Sequence, residues 1–341
     1  MGEVTTIGLD LAKSVFQAHG ADASGAVAFR KRLRRDQVLG FFASQARCLV
    51  AMEACASAHY WAREIATLGH ETRLIPPAYV KPFVKRQKND MADAEAICEA
   101  AQRPTMRFVG AKSAEAQGAA VVFRTRDLLV RQRTQLINAL RGHLGEFGYV
   151  VRQGAGHVAK LLDLVADPAS DLPAEARPIL LVIAESLASL QARIAVLDRE
   201  IAARAKADPI AKRLMTIPGV GPIVATALVA LAPPASTFRR GRDFAAWLGL
   251  TPKQHSSGGK ERLGRTSKMG ERSLRRLLIL GASSAVKVAT RDNARAGPWL
   301  AGMLGRKPRM LVTVALANKM ARIVWALMAH GGSYRAPAVA A

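Results

Sequence analysis

Four carboxylic acids lie where the chain passes from one predicted element to the next. Asp10 ends the apolar run "VTTIGLD", and Glu53 ends a second apolar run, "CLVAME". Asp90 and Asp93 are three residues apart in "KNDMADAEAI", a stretch of helix-forming residues, so they share one helix face. Two like charges on one face repel and call for a compensating cation. The four acids therefore suggest a site for Mg²⁺ or Mn²⁺, which prefer carboxylate oxygens.

Each of these acids also has an ordinary structural explanation. An aspartate after a strand is often a turn residue, and Asp90, following Asn89, could belong to a helix cap. Taken singly, the structural explanations are the simpler ones. Taken together, in a chain with a net charge of +24, the acids favour a metal site. Two bound ions about 3.5–4 Å apart would stabilise the attacking and leaving oxygens of a phosphoryl transfer.

A particular fold is needed to bring these distant acids together. Apolar runs bounded by turn residues predict five strands, at residues 4–9, 14–21, 26–33, 48–54 and 71–77. Helices are predicted at 36–46, at 57–70 and around Asp90. The order βββαβαβα predicts a mixed α/β sheet with helices on its faces. If strands one and four are neighbours, Asp10 and Glu53 end at one edge, where a packed helix would bring Asp90 and Asp93.

The middle of the chain is predicted to be helical. Residues 113–146 form one long helical run, and a polar stretch at 154–178 interrupts it. From Leu180 to Ile201, apolar residues recur at alternating steps of three and four, which is a heptad seam. The seam predicts either an intramolecular helical hairpin or a coiled coil that joins subunits, and both remain open. We expect three domains, at 1–112, 113–208 and 209–341, the last of them helical.

Charge is concentrated in the last third of the chain. The sequence has 50 Lys and Arg against 26 Asp and Glu, and residues 211–341 alone have 22 against 4. This imbalance predicts a polyanionic partner, nucleic acid before an acidic membrane. With 5% aromatic residues, base stacking is not expected to be the main source of affinity. Salt-sensitive contacts to the phosphate backbone are expected instead.

Two further features are candidates for contacts with nucleic acid. The turn "PGVGP" resembles a helix-hairpin-helix turn, whose backbone N–H groups, at Gly219 and Gly221, could bind phosphate. A simple glycine turn between packed helices explains it equally well. Arginines of the long helix could follow RNA or form a solvated surface; they are Arg124, Arg126, Arg131 and Arg133.

A polar, glycine-rich segment, residues 251–270, lies between apolar helices. Long loops inside compact domains are usually functional. Ser256 and Ser257 precede two glycines there, and a serine needs a base or electrostatic help to act as a nucleophile. Nearby cations could stabilise charge on an attacked phosphate; they are Lys253, Lys260, Arg262, Arg265 and Lys268. From the residues alone, ordinary loop chemistry is the simpler explanation, and His255 is more simply a bystander than a helper.

The cysteines and the apolar stretches indicate a cytoplasmic protein. Cys48, Cys55 and Cys98 are odd in number and form no CxxC pair, so buried thiols in a reducing compartment are expected. The N-terminus enters a strand at once, with no signal peptide. The apolar stretch 310–328 contains Lys319 and Arg322, which argues against a membrane span.

The segments "IGLDLAK", "MEACAS" and "KNDMADAEAI" resemble the DEDD motifs of the bridge-RNA-guided insertion-sequence transposases. The likeness continues through "IPGVG", "GLTP" and "SGG". It implies an RNase H-like, RuvC-like N-terminal domain whose acidic quartet is Asp10, Glu53, Asp90 and Asp93. The family's catalytic serine directly precedes the first glycine of the late motif, which corresponds to Ser257 rather than Ser256. Residues 55–57, Cys-Ala-Ser, depart from the Thr-Gly that many members have after the glutamate and alanine.

The resemblance also implies a reaction and its partners. A serine would form a covalent phosphoserine link to DNA, and the DEDD domain of another subunit would supply Mg²⁺ or Mn²⁺ to the same reaction. A structured guide RNA would pair with donor and target double-stranded DNA, and the protein would assemble as a dimer to tetramer. One rival hypothesis is a Holliday-junction-type endonuclease that uses the four acids and water. Another is a non-catalytic, basic nucleic-acid-packaging protein.

Overall fold

A five-stranded sheet forms the centre of the N-terminal unit in the computed structural model, which describes residues 3–85, 89–292 and 297–336. The chain divides into two units, residues 1–118 and 119–341. The strands of the first unit are β1 (Thr6–Asp10), β2 (Val15–Ala21), β3 (Val27–Arg34), β4 (Leu49–Glu53) and β5 (Glu71–Ile75). Its helices are α1 (Val38–Ala43), α2 (Ala58–Thr67), α3 (Pro77–Val80) and α4 (Asp90–Ala101), with 3₁₀ turns at Arg35–Gln37 and Lys81–Phe83.

The strand order in this sheet is β3-β2-β1-β4-β5. β1 pairs antiparallel with β2 and parallel with β4, with Leu9 opposite Met52. β4 pairs parallel with β5, and β2 antiparallel with β3. The predicted mixed sheet is therefore confirmed, as is the prediction that the first and fourth strands are neighbours. β1, β4 and β5 end together at one edge, the carboxyl edge of the sheet.

Alternation along the strands gives the sheet two covered faces. Leu9 of β1 and Met52 of β4 lie in a core with Phe42 of α1 and Trp61 of α2, and we call this side the α2 face. Residues one step out of phase point to the other side, where Ala51 of β4 packs in a core with α4. We call this second side the α4 face.

Where the structure describes it, the second unit is helical apart from one short hairpin. Its first helix, α5 (Ala114–Glu146), begins just before the unit boundary. The others are α6 (Val158–Ala166), α7 (Ala176–Ala207), α8 (Pro209–Leu214), α9 (Pro222–Leu231), α10 (Gly241–Trp247), α11 (Arg272–Arg291), α12 (Pro298–Leu304) and α13 (Arg309–His330). The hairpin strands are β6 (Pro252–Gln254) and β7 (Leu263–Thr266), and 3₁₀ turns occupy Ala155–His157 and Ala235–Thr237.

The heptad seam of α7 packs within the chain, against α5. Leu144 near the end of α5 shares a cluster with Leu180 near the start of α7. Phe123 near the start of α5 shares another cluster with Ile201 near the end of α7. These shared clusters, together with the ion pair between Arg126 of α5 and Asp198 of α7, support the intramolecular helical hairpin. A subunit-joining role for the seam stays a prediction. The helix α6 lies in the stretch that the sequence had suggested was an irregular interruption.

Two helices among the described residues are long and apolar enough to cross a membrane by length and composition, Ala176–Ala207 and Arg309–His330. Both bury a face within the protein. α7 buries Leu180, Leu187, Ile194 and Ile201 of its seam, and α13 buries Ala317, Met320 and Val324 in the largest core cluster of the second unit. Core packing accounts for the buried face of each helix, while α7 also exposes Ile179, Val182 and Val196.

Candidate active site: four carboxylates and an exposed serine

Asp10 and Glu53 are the last residues of two adjacent parallel strands. Both follow the phase of the α4 face, since Asp10 is two residues beyond Gly8 and Glu53 two residues beyond Ala51. The expectation that these two acids meet at one sheet edge is therefore supported by both strand pairing and side-chain alternation.

A close contact between α4 and β1 brings the other two acids to this edge. Gly8 lies directly beneath the helix, and a Cβ atom built there would be 2.2 Å from the carbonyl oxygen of Ala94 and 2.5 Å from the backbone nitrogen of Cys98. No side chain fits in that space, so glycine at position 8 permits the approach. The start of α4, which carries Asp90 and Asp93, consequently lies near the end of β1.

The N-cap of α4 is Asn89, whose side-chain oxygen accepts a hydrogen bond from the N–H of Met91 at 3.0 Å. Asp90 is the first residue of the helix, so its carboxylate is not needed as the cap. Asp93, three residues further along, is half-buried. Both acids lie in the first helical turn, where the positive end of the helix dipole favours a carboxylate.

Electrostatic coupling connects the four carboxylates. Burial raises the pKa of Asp10 to about 6, with further contributions from the negative charges of Asp93, Asp90 and Glu53. The pKa of Glu53 is also raised, first by burial and then by Asp93. Each of these shifts means that an additional negative charge at the carboxyl edge is costly.

The chemistry of the donors fits a hard divalent cation. All four groups offer carboxylate oxygens, and a cation would offset both the burial and the repulsion that raise the Asp10 pKa. Within the described part of the chain, no three or more His, Cys, Asp and Glu side chains are arranged as a ready-made metal-ligand group. The carboxylates are thus electrostatic neighbours whose side chains do not form a closed coordination shell.

Ion pairs at Glu95 hold α4 against neighbouring elements. Its carboxylate accepts a hydrogen bond from Arg30 of β3 at 3.1 Å and one from Lys85 at 2.9 Å. These contacts lie two residues beyond Asp93 and help to fix the helix that carries the acids. The sequence pattern gave no signal for Glu95, because its partners are 65 and 10 residues away.

The three cysteines have different environments, and all three thiols are free. Cys48 and Cys98 are buried, as expected, whereas the expectation was wrong for Cys55, which is exposed. Cys55 lies beside the acids: desolvation, then Glu53 and Asp10, raise the pKa of its thiol. It follows Glu53 by two residues in the turn that leads to α2.

The segment that contains the paired serines is a β-hairpin and not the unstructured loop that its composition suggested. β6 and β7 pair antiparallel, and Ser257 bridges Lys260 across the tip. Gly258 and Gly259 have φ angles of +57° and +76°, the left-handed conformation that a two-residue type I′ turn requires at both positions. The two glycines are therefore explained by the turn.

The hairpin distinguishes the two serines. The Ser256 hydroxyl accepts a hydrogen bond from the N–H of Arg262 at 3.1 Å. Among the described residues, the Ser257 hydroxyl has no hydrogen-bond partner, and Ser257 is exposed. The cations predicted to surround the serines are exposed as well; they are Lys253, Lys260, Arg262, Arg265 and Lys268. The ring of His255 lies across the hairpin against Gly264, where an added Cβ would be 2.6 Å from Cδ2.

The base of the hairpin is fixed by close packing. Gly270 has φ +74°, and a Cβ there would lie 1.7 Å from the carbonyl oxygen of Trp247. Arg275 of α11 donates hydrogen bonds to the carbonyl oxygens of Leu248 and Met269, at 3.0 and 2.7 Å. The tip of the hairpin is therefore exposed, while its base is held by packing and hydrogen bonds.

The four arginines predicted on α5 do not form one free basic face. Arg124 and Arg131 are exposed, and Arg131 pairs with Asp127 at 3.4 Å. Arg126 is half-buried in an ion pair with Asp198 of α7 at 2.5 Å, and Arg133 is also half-buried. Residues 124 and 131 are separated by two helical turns, as are 126 and 133, so the two pairs lie on different sides.

The "PGVGP" turn packs against α11. Gly219 has φ +87°, and a Cβ there would lie 2.4 Å from the carbonyl oxygen of Gly281. The tight turn at Gly219 is therefore explained by packing. Gly221 is exposed at the N-cap of α9, and a Cβ there would meet no atom within 4 Å.

A mixed sheet with coupled carboxylates at its carboxyl edge, followed by a strongly basic helical unit, is consistent with an RNase H-like enzyme that acts on nucleic acid. Comparisons with known proteins agree. Residues 7–148 match the DEDD domain of IS110 transposases, described as "Transposase", and residues 211–296 match the family described as "Transposase IS116/IS110/IS902 family".

Relatives match over nearly the whole chain. A "Probable family 20 transposase" of Pseudomonas aeruginosa is 51% identical over 97% of this chain and 99% of its own length. The transposase for insertion sequence element IS1328 of Yersinia enterocolitica is 39% identical, over 97% of this chain and 98% of its own. The transposase for element IS1111A of Coxiella burnetii is also 39% identical, over 98% and 92%. The chain belongs to the IS110/IS116 family of insertion-sequence transposases, enzymes that act on DNA.

Proposed function

We propose that this transposase is an RNA-guided recombinase that cuts and exchanges DNA strands with two sets of residues. The first is the carboxylate quartet, which holds Mg²⁺ or Mn²⁺. The second is Ser257, which attacks the scissile phosphate. The observation that carries the proposal is the approach of the four acids to the carboxyl edge, where β1 and β4 end side by side and α4 packs on Gly8. Four acids with no role in the core are otherwise a cost to the fold.

The quartet's role is to receive a cation and, with it, a phosphate. When bound, a divalent cation supplies positive charge to the non-bridging oxygens of the attacked phosphate. Asp10 and Glu53 are held by the sheet, and Asp90 and Asp93 by the capped start of α4. The positions of the four carboxylates are therefore set by backbone elements, which limits the rearrangement needed on binding.

The Ser257 hydroxyl is the proposed nucleophile because it is exposed and makes no hydrogen bond within the described residues. Its oxygen forms a bond to phosphorus as the bond from phosphorus to a deoxyribose oxygen breaks. The serine proton leaves to solvent, and the released deoxyribose oxygen gains one. The hydroxyl of a different strand then attacks the phosphorus, and the bond between phosphorus and the serine oxygen breaks. A new phosphodiester forms without hydrolysis, and the serine hydroxyl regains its proton. The cations of the hairpin stabilise charge on the attacked phosphate.

The proposed partners are DNA, a guide RNA and further copies of this chain. Most of the excess positive charge lies in residues 211–341, which suits contacts to DNA and RNA backbones. A structured guide RNA that pairs with donor and target DNA would then determine the sites. Assembly as a dimer to tetramer would bring several carboxylate sites and serines to the paired strands.

A covalent adduct tests the nucleophile. The protein with its copurifying RNA is incubated with Mg²⁺ and a nicked DNA substrate that traps the intermediate, and the products are separated on a denaturing gel. Wild type should give a protein–DNA adduct, and Ser257→Ala should give none. Ser256→Ala is the matched control: it changes the neighbouring hydroxyl and should retain the adduct, because that hydroxyl only accepts the N–H of Arg262.

Other results would select a rival. Strand cleavage that persists in Ser257→Ala with no adduct in any variant would identify a junction-resolving nuclease that uses water. Transposition unaffected by Asp10→Ala would identify a non-catalytic packaging protein.

RNA guidance has a separate test. The RNA that copurifies with the protein is sequenced, and adduct formation is measured with that RNA or with a version whose target-pairing segment is changed. We expect the DNA site to change with the RNA. Adduct formation at an unchanged site without RNA would refute guidance while leaving the serine chemistry intact.

A further inference from the structure

A cavity of about 670 Å³ opens on the N-terminal unit. Its walls come from the turn between β1 and β2, the end of β3 with the following 3₁₀ turn, and α2. The residues that matter here are Lys13, Ser14, Arg34, Arg35, Tyr60 and Trp61. The volume lies within the range of about 300–1,000 Å³ that is usual for pockets holding small ligands.

The cavity is positively charged. Lys13, Arg34 and Arg35 contribute three cations, and Asp36 is the single acid in the lining. Asp36 pairs with Arg34 at 3.5 Å, but the two side chains are 72% and 70% exposed. An exposed pair of this kind adds little stability and separates easily when a ligand competes. The cavity therefore suits an anionic ligand.

Aromatic rings form the rest of the recognition surface. Tyr60 is 43% exposed, so its ring is available for stacking, and its edge meets the ring of buried Trp61 at 5.2 Å between centroids. The guanidinium of Arg35 lies 5.0 Å from the centre of the Trp61 ring and donates a hydrogen bond to the carbonyl oxygen of Lys13. This cation is held in place by the aromatic core. Cations beside an accessible aromatic ring are the pattern that binds unpaired nucleotides, with phosphates on the cations and a base on the ring.

The location connects the cavity to the carboxylates. Lys13 and Ser14 lie in the turn that leaves β1 just after Asp10, and Tyr60 is in the helix that follows Glu53. The cavity is therefore at the carboxyl edge, on the α2 face, while Asp90 and Asp93 approach the same edge from the α4 face. A nucleic-acid strand that crosses this edge would therefore pass from the cavity to the carboxylates.

We propose that this cavity binds an unpaired segment of nucleic acid, with a base stacked on Tyr60 and phosphates on Lys13, Arg34 and Arg35, next to the carboxylate quartet. The inference rests on the proposed function in one respect: the segment held here continues into the strand that the quartet acts on. The chemistry of phosphates and a stackable base is common to DNA and RNA. A strand separated from its complement during exchange, or an unpaired part of a guide RNA, would supply it.

Photocrosslinking gives a test that the basic second unit does not obscure. Single-stranded five-nucleotide oligomers that contain 5-iodouracil, as DNA or as RNA, are irradiated with full-length protein in EDTA, and the linked residue is identified by mass spectrometry. We expect a crosslink to Tyr60, with the yield of the two oligomers identifying the preferred nucleic acid. A duplex with the same strand should give at least fivefold less, because its bases are not free to stack.

Matched variants distinguish specific binding in the cavity from non-specific attraction to the positively charged surface. Arg34→Gln and Arg32→Gln each remove one exposed cation from β3, but only Arg34 lines the cavity. Arg34→Gln should lower the Tyr60 crosslink about fivefold, and Arg32→Gln should leave it within twofold. Equal effects of the two variants, an equal duplex yield, or crosslinks that avoid Tyr60 would overturn the proposal. In that event the cations would serve only to protect an edge strand.

A second measurement does not depend on crosslinking to Tyr60. Oligomer affinity is measured by fluorescence anisotropy for Tyr60→Phe and Tyr60→Ser, with thermal unfolding as the check on folding. Tyr60→Phe should retain the affinity, and Tyr60→Ser should weaken it severalfold, since one stacked base is lost. Equal affinities would contradict the site. Both measurements report binding alone, because EDTA prevents cation-dependent cleavage. A negative result would therefore rule out the binding site without contradicting the proposed chemistry of the quartet and Ser257.

Discussion

The carboxylate quartet and the serine hairpin are built on opposite principles. The quartet is positioned by the core: two strand ends, a helix pressed onto Gly8 and an asparagine cap fix the backbone at all four acids. The Ser257 hairpin is fixed only at its base, by Gly270 and Arg275, and every residue from Pro252 to Arg262 is exposed.

The difference indicates how the two sites are assembled. The carboxylates of the quartet are already close together in the folded protein. Burial and their mutual repulsion raise the pKa of Asp10. The serine has no base or cation fixed on its hydroxyl among the described residues, so its activation depends on groups that arrive with the substrate or with other parts of the complex. Substitutions should therefore affect stability and catalysis together in the first region and catalysis alone in the second.

The largest effect is expected from Asp10→Asn. The amide keeps the size of the side chain but removes the charge that would bind a cation, so strand cleavage should fall about 10²–10³-fold or more. Adduct yield with Mg²⁺ or Mn²⁺ measures it. Glu71→Gln is the control, since Glu71 is an exposed acid at the opposite end of the sheet. Equal activity of the two variants would remove the quartet from catalysis.

Gly8→Ala tests whether core packing sets the position of the acids. The added methyl group would be 2.2 Å from the carbonyl oxygen of Ala94, which should displace α4 and cost about 1–3 kcal/mol of unfolding free energy. Cleavage should fall with it. Gly40→Ala is matched, because Gly40 is in α1 with no atom within 4 Å of an added Cβ. It should leave both quantities unchanged or raise stability slightly, and urea denaturation with the adduct assay measures both.

Much of this N-terminal arrangement could be predicted from sequence. Strands are strongly patterned there, so the ends at Asp10 and Glu53, the βββαβαβα order and the helix at Asp90 all agree with the structure. The contact at Gly8 joins residues nearly ninety positions apart, and its only local signal is a glycine inside a strand.

The second unit was harder to predict for physical reasons. β6 and β7 are short and mostly exposed, so they lack the apolar alternation that marks a strand. The Ser-Gly-Gly-Lys sequence was the available signal, since paired glycines suit a type I′ turn. Arg126 is the converse case: it looks like any surface arginine in the sequence, and only its ion pair with Asp198 removes it from the basic surface.

The pH dependence of stability tests, without any substrate, whether burial and the neighbouring acids raise the pKa of Asp10. The folded-state pKa of Asp10 is raised from 3.8 to about 6, so the folded state binds this proton more tightly than the unfolded state does. The resulting stabilisation is complete below about pH 3.8 and is lost as the pH rises through 6. Because the group is partly exposed and solvent screens the charge, it amounts to about 1–2 kcal/mol.

Asp10→Asn isolates this contribution. The difference in unfolding free energy, Asp10→Asn minus wild type, should grow between pH 4 and pH 7 in EDTA and then level off. Added Mg²⁺ at pH 7 should stabilise wild type and not the variant. A difference that does not vary with pH would mean that neither burial nor the neighbouring acids raise the pKa of Asp10.

The smallest and most local effect is expected at the hairpin tip. Gly259 has φ +76°, so Gly259→Ala introduces strain of about 1–2 kcal/mol in the turn. Because no atom of the described residues lies within 4 Å of a Cβ at Gly258 or Gly259, this strain should distort the hairpin beside Ser257 rather than unfold the second unit. Adduct formation should slow about 5–10-fold, while the thermal unfolding midpoint moves by less than about 2 °C.

Two further variants show whether backbone conformation is the cause. Gly259→Asn should restore part of the rate, because asparagine tolerates the left-handed region better than alanine does. Gly302→Ala, in α12, adds a methyl group where the nearest neighbour, the end of the Arg306 side chain, is 3.8 Å away, and it should leave the rate unchanged. A large fall in the unfolding midpoint of Gly259→Ala would show that the tip is packed after all. The contrast between a core-positioned quartet and a base-anchored serine would then no longer hold.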